Sequence, residues 1–268
     1  FRRVLFRSSI NYVTALDRPL VNLQKGTFGY NRVLLAASPQ VKGGNLLAAF
    51  ETSTNSGPWT VPDSFKKYNG VVRYSRGNAV NGFSVTGMAY HGSWNATEAS
   101  PQRAVTQGLI DRFGSIDNSD GGNSYRYSVV GEWQKGTQDT LTRASAYGIR
   151  YGLDLFSNFT FFLDDPVRGD QQEQVDRRWV TGGKVSQTRM SRWKSRSVQT
   201  TYGVQVRNDN IPEVALYHPQ DRQRLATKSN SAALVTSAGV YGQNEVSWSS
   251  WLRTTVGLRA DVSRYRVD

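Results

Sequence analysis

From Leu252 the chain alternates without a break. Even positions read Leu252, Thr254, Val256, Leu258, Ala260 and Val262, and odd positions read Arg253, Thr255, Gly257, Arg259 and Asp261. A period of two places one set on each face of an extended strand. The same period recurs in 198–208, with Val198, Tyr202, Val204 and Val206 against Gln199, Gly203, Gln205 and Arg207. In 125–134, Tyr125, Tyr127, Val129 and Trp133 oppose Arg126, Ser128, Glu132 and Gln134. In 147–155, Tyr147, Ile149, Tyr151, Leu153 and Leu155 oppose Gly148, Arg150, Gly152 and Asp154. The template predicts about eleven strands, near 9–15, 19–38, 44–53, 68–77, 82–92, 124–135, 140–158, 174–190, 197–208, 231–248 and 251–266. Several exceed the five or six residues usual in a soluble sandwich.

An all-β fold also fits the composition. Aromatic residues make up 12% of the 268, too many for a disordered chain. The absence of Cys removes disulfides and thiolate metal sites, and the two histidines, His91 and His218, have no partners at ligand spacing. There is no run of eighteen apolar residues to make a membrane helix, which leaves barrel strands open.

The connections sort by length. Short turns are expected at 39–43, 77–81, 136–139, 191–196 and near Ser249, and long loops at 54–67, 93–123, 159–173 and 209–230. In a meander, short and long connections then fall at opposite ends, the asymmetry of outer-membrane barrels. Within LDLFSNFTFFLDDPVRGDQQEQVDRRWVTGGKV (153–185), the first part reads as the outer end of an ascending strand. Its Phe156, Phe161 and Phe162 suit an aromatic girdle at a membrane interface, and DDPVRGDQQEQ reads as the exposed loop.

LFSNFTFFLDDPVRGDQQEQVDRR resembles a barrel hairpin of the TonB-dependent outer-membrane receptors. GTFGYNRVLLAAS (26–38), SGPWTVPD (56–63), GFSVTGMAYHGSWNATEASP (82–101), RAVTQGLIDRFGSIDNSDGGNSYRYSV (103–129) and SWLRTTVGLRADVSRYRV (250–267) fit the same family in the same order. The resemblance covers nearly all of 9–268. It implies an antiparallel up-and-down transmembrane β-barrel, here partial, out of about 22 strands around a plug domain. It implies that plug, energising segment and remaining strands lie outside this sequence. It further implies a Gram-negative outer membrane, lipid as a partner, a TonB-type energising protein acting through the absent N-terminal region, and a small-molecule ligand such as a ferric siderophore.

Inward-pointing charges are expected at Arg126, Arg150, Asp154, Arg207 and Arg259. They either guide an anionic ligand or meet the plug and solvent. Trp59 and Trp94, with Tyr217, lie on long loops and either stack on a ligand or anchor the loops. Asp164, Asp165, Asp170 and Glu173 supply oxygen atoms suited to Ca²⁺, without the spacing of a dedicated loop, so a solvated turn is expected there. The basic turn SRWKSR (191–196) and the net charge of +12 fit a nucleic-acid binder only loosely, because no recognisable module accompanies them. No nucleophile elbow, carboxylate pair or phosphate loop appears, so neither an enzyme nor a bound cofactor is expected. A passive porin and a soluble basic all-β binding protein are the remaining alternatives. Finally, Phe1 to Ser8 (FRRVLFRS) resemble a translated sequencing-adapter oligonucleotide and are set aside from the fold.

Overall fold

The computed structural model describes residues 13–97 and 100–268. The adapter-like residues 1–8 lie outside them, as does most of the expected strand 9–15, whose residues 13–15 are not in a strand. Twelve strands follow: β1 Leu20–Lys25, β2 Asn31–Ala37, β3 Gln40–Val41, β4 Gly44–Asn55, β5 Phe65–Gly77, β6 Asn81–Asn95, β7 Gly121–Gly136, β8 Thr140–Ser157, β9 Gln172–Trp193, β10 Arg196–Gln220, β11 Gln223–Ser247 and β12 Arg253–Val267. One short helix, α1 Gln102–Thr106, lies between β6 and β7. The strands form one antiparallel sheet in chain order, with the two-residue β3 folded back on β4. The sheet is open, a partial up-and-down β-barrel.

Directly paired residues share a face, so the register assigns inside and outside. One row runs Val72, Gly87, Val129, Gly148, and the next runs Arg73, Thr86, Val130, Tyr147. The first belongs to a face that also carries Phe83, Val85, Trp133, Val185, Val204, Val206, Val240, Leu258 and Val262, all exposed. The second belongs to the enclosed face, where Ser53, Arg73, Ser75, Ser84, Thr86 and Ser128 are buried. A soluble sheet buries its apolar face; here the polar face is enclosed and the apolar face is open, as in a barrel set in lipid around a polar lumen.

Aromatic residues bound the apolar face. Tyr68, Tyr125, Tyr127 and Trp179 lie toward the long loops, and Phe83, Trp133 and Tyr202 toward the short turns. From Tyr125 to Trp133 the chain climbs about 27 Å at roughly 3.4 Å per residue, close to the roughly 25 Å apolar band of a membrane barrel. Both bands follow the sheet around, stepping to new rows from strand to strand as tilted strands require.

Four expectations need correction. The run 19–38 is two strands, turned at Gly26–Tyr30 with Phe28 and Gly29 in the left-handed region. The long loop at 209–230 is instead the top of a tall hairpin: β10 and β11 pair up to a two-residue turn, Asp221-Arg222. Alternation fails there because the ladder slips between Ile211 and Val214, Leu216 and Tyr217, and His218 and Pro219. Such bulges also admit Pro212 and Pro219, which an unbroken ladder would reject. Third, β8 faces the other way. Its bulky residues Tyr147, Ile149 and Tyr151 point inward, while Ala144, Ala146, Gly148 and Arg150 share the outer face. Tyr147 fills the space over Gly182, where an added Cβ would lie 2.6 Å from its hydroxyl. Fourth, Phe156 is buried and Phe161 and Phe162 belong to the β8–β9 loop, so none of them forms the girdle.

Candidate functional site

The long-loop end of the sheet is assembled from the β4–β5 loop (56–64), the β6–β7 loop (96–120), the β8–β9 loop (158–171) and the β10–β11 hairpin tip. Arg222, at φ 64°, joins three of them. Its Nε donates to the Ser119 carbonyl at 2.6 Å, and its Nη2 donates to the Asp120 carbonyl at 3.0 Å and to Asn95 Oδ1 at 3.1 Å. Its backbone N–H donates to Gln171 Oε1 at 3.1 Å, and the guanidinium lies 5.3 Å from the Phe156 ring centre. Gln171, almost wholly buried, donates in turn to Ser119 Oγ at 2.7 Å and Asp120 Oδ1 at 3.0 Å. Asn158, equally buried, donates to Asp117 Oδ2 at 2.8 Å. Buried amides with their donors and acceptors used hold one arrangement against others.

The neighbouring loops are tied similarly. Trp59 donates from Nε1 to Asp63 Oδ2 at 3.1 Å, and its ring tilts against Phe113 at 6.3 Å. Burial raises the Asp63 carboxyl and this bond opposes the rise. Thr60 Oγ1 donates to Asp111 at 2.8 Å. On the tall hairpin, Arg224 forks onto Glu173 at 2.6 and 2.8 Å and covers the Tyr217 ring at 3.9 Å. Burial, and then the Glu213 carboxylate that accepts its O–H, push the Tyr217 phenol up.

In the acidic stretch the two buried carboxylates are engaged within the protein. Asp170 accepts the backbone N–H groups of Leu163, Asp164 and Asp165, and Glu173 is held by Arg224. Burial raises the Asp170 carboxyl, but these bonds and the Thr160 hydroxyl outweigh it and hold it below the usual carboxylate range. His218 Nε2 meets the Gly169 carbonyl at 2.7 Å, and His91 pairs with Tyr68 and Tyr125 on the outer face. Among the described residues no three His, Asp or Glu side chains gather as metal ligands.

The other predicted residues divide between the faces. Arg126 points inward between Tyr90 and Tyr151. Arg207 and Arg259 also point inward, each forked onto a carboxylate two residues on, Asp209 at 2.8 and 2.9 Å and Asp261 at 2.6 and 2.7 Å. Trp94 has the inward register, beside Gly122. Arg150 and Asp154 do not line the lumen. Arg150 stands in the outer aromatic band, 5.4 Å from the Trp179 ring and 5.9 Å from Tyr125. Asp154 pairs with Arg177 at 2.5 Å on the same face. Arg222, Gln171, Asn158 and Asp117 were not singled out from sequence. No sequence signal marks Arg222, because Asp-Arg is not a hairpin dipeptide and the bulges break the alternation on both sides of it.

Comparison with solved structures places this architecture. The fold is shared with two proteins of ferric-complex uptake. One is the ferric citrate transporter FecA in its unliganded form, with a TM-score of 0.72 over 92% of this chain at 9% identity. The other is the ferric-catecholate import receptor Fiu from E. coli K12, with a TM-score of 0.71 over 90% of this chain, also at 9% identity. The chain spans 37% and 43% of their lengths, respectively. No protein-family model and no curated protein matches the sequence.

Proposed function

We propose that this chain is wall and outer rim of a TonB-dependent receptor that imports a ferric chelate, such as a siderophore complex, across the outer membrane of a Gram-negative bacterium. The observation that carries the reading is the arrangement of the sheet: an apolar, aromatic-banded exterior, a polar interior, and long loops collected at one end, in a fold shared with a ferric citrate transporter and a ferric-catecholate import receptor. In this reading the tied loops form a rim that meets the ligand. Trp59 and Trp94 offer ring faces, and Arg126 lends the lumen positive charge that draws an anionic chelate inward, whereas Arg207 and Arg259 are balanced by Asp209 and Asp261. Outer-membrane lipid contacts the apolar face, and the energising protein acts through a plug domain.

The test is to sequence the gene through both ends of this segment and delete it in the source organism. A plug-like α/β domain upstream, with growth lost on ferric chelates under iron limitation and kept on free iron, is the expected result. An upstream region made only of further strands, with chelate uptake unchanged by the deletion, would refute it in favour of a passive barrel.

A further inference from the structure

At the short-turn end the inner wall carries a cavity of about 530 Å³, within the size range of small-ligand sites. Its inward-facing charges are Arg73, Arg143 and Lys184 against Glu132 alone, two positive charges in excess, and Arg76 joins the lining at the rim from the outer face. The register explains how they meet. Asn45, Ser75, Ser84, Glu132, Ser145 and Lys184 are successive partners across six strands, β4 to β9, and form one polar row on the inner face.

The internal contacts use only part of this equipment. Arg73 is buried and donates from Nη1 to Thr86 Oγ1 at 2.8 Å and from Nη2 to Glu132 at 3.2 Å. Ser84 Oγ donates to the same Glu132 oxygen at 3.0 Å. Glu132 is thereby committed, and among the described residues no carboxylate pairs with Arg76, Arg143 or Lys184. Arg73 Nε and Ser75 Oγ are buried with no hydrogen-bond partner among the described residues. A buried donor left unmade is costly, and a guanidinium donor is costlier still. Donors in this density, in a half-enclosed wall, match the oxygen atoms of a carboxylate.

We infer that this cavity is a carboxylate-binding site on the lumenal wall, built from Arg73, Ser75, Arg143 and Lys184. The carboxylate comes either from a free polycarboxylate in the lumen or from an Asp or Glu side chain of polypeptide lying against the wall. The inference needs the barrel wall and not the transport reading, so either can fail while the other stands.

The test has two arms. In the first, the chain refolded in detergent micelles is titrated with citrate by calorimetry at low salt. Saturable binding, weakened at least tenfold in the double variant Arg143→Gln/Lys184→Gln and unchanged in Arg168→Gln/Lys228→Gln, supports a free carboxylate. Both Arg143 and Lys184 are exposed, which keeps the variant foldable. In the second, membranes containing the protein are treated with a water-soluble carbodiimide, which activates a carboxylate for attack by an amine and leaves as a urea once the amide has formed. An amide from Lys184 to an Asp or Glu side chain other than Glu132, which lines the same cavity, read by mass spectrometry, assigns the site to polypeptide. Equal weakening of citrate binding by both double variants overturns the inference, as does the absence of both citrate binding and a Lys184 cross-link to a carboxylate other than Glu132.

Discussion

Asp170 shows how much one side chain organises. It is buried at the base of the β8–β9 loop and accepts three successive backbone N–H groups, 163–165, at 2.7 to 3.2 Å. Asp165, held low first by the N–H of Arg168 and then by that of Val167, repeats the device one turn on. Both carboxyls titrate below their ordinary range in the folded state. Their stabilisation is therefore complete above the ordinary carboxylate pKa of about 3.9 and is lost as pH falls through the lower folded values. Hydrogen-exchange protection of amides 163–165, corrected for intrinsic rate, should stay level from neutral pH down to about pH 4 and then fall. Asp170→Asn should lower that protection at neutral pH and flatten the acid-side fall. A wild-type curve retained by Asp170→Asn would mean that another group titrates. From sequence, Asp164, Asp165, Asp170 and Glu173 looked alike; which one turns inward depends on Gly169, at φ 85°, and on the fold of the whole loop.

At the scale of elements, β8 separates what alternation reveals from what it hides. The period of two was correct along 147–155, but its facing was not. Size suggested that tyrosines, Ile149 and Leu153 face lipid, whereas the register with β7 and β9 turns them inward. A lipid-facing strand needs only to avoid polarity, and Ala144, Ala146 and Gly148 do that. Packing over Gly182 decides the rest, and that contact crosses strands. Two substitutions test the facing. An added Cβ at Gly148 meets nothing within 4 Å, so Gly148→Ala should be neutral or stabilise by about 0.5 kcal/mol. At Gly182 it meets Tyr147 Oη at 2.6 Å and the Val206 carbonyl at 2.7 Å, so Gly182→Ala should destabilise by about 1–3 kcal/mol. Denaturant midpoints in detergent read both, and the reverse ranking would return β8 to the facing that size suggests. Strands β4 to β7 and β12 were legible because small and large residues agree on their faces. The upper halves of β10 and β11 were not, because bulges break the period while leaving the backbone paired.

For the molecule as a whole, the two aromatic bands fix its depth in a bilayer. Variants keeping only Trp133 or only Trp179, with the other six tryptophans replaced by Phe, should be quenched by lipids brominated near the headgroup and spared by lipids brominated at the chain end. A Val129→Trp variant in a Trp-free background should show the opposite order, since Val129 lies between the bands on β7. Quenching of all three to the same extent would place the apolar face elsewhere than in lipid.

The Arg222 knot also orders events in time. Every ladder in the sheet joins neighbours in the chain, apart from β2–β4, which skips the two-residue β3, so the wall can grow one hairpin at a time through local closures. Arg222 instead reaches partners 103 and 127 residues back, Ser119 and Asn95. Its bonds have nothing to close until β6 through β11 stand in register, so they form among the last native contacts. Interactions made after the folding barrier slow unfolding and leave the folding rate nearly untouched. The hairpin tip is thus a late clasp, which governs how long the finished rim stays shut far more than how fast the wall is built.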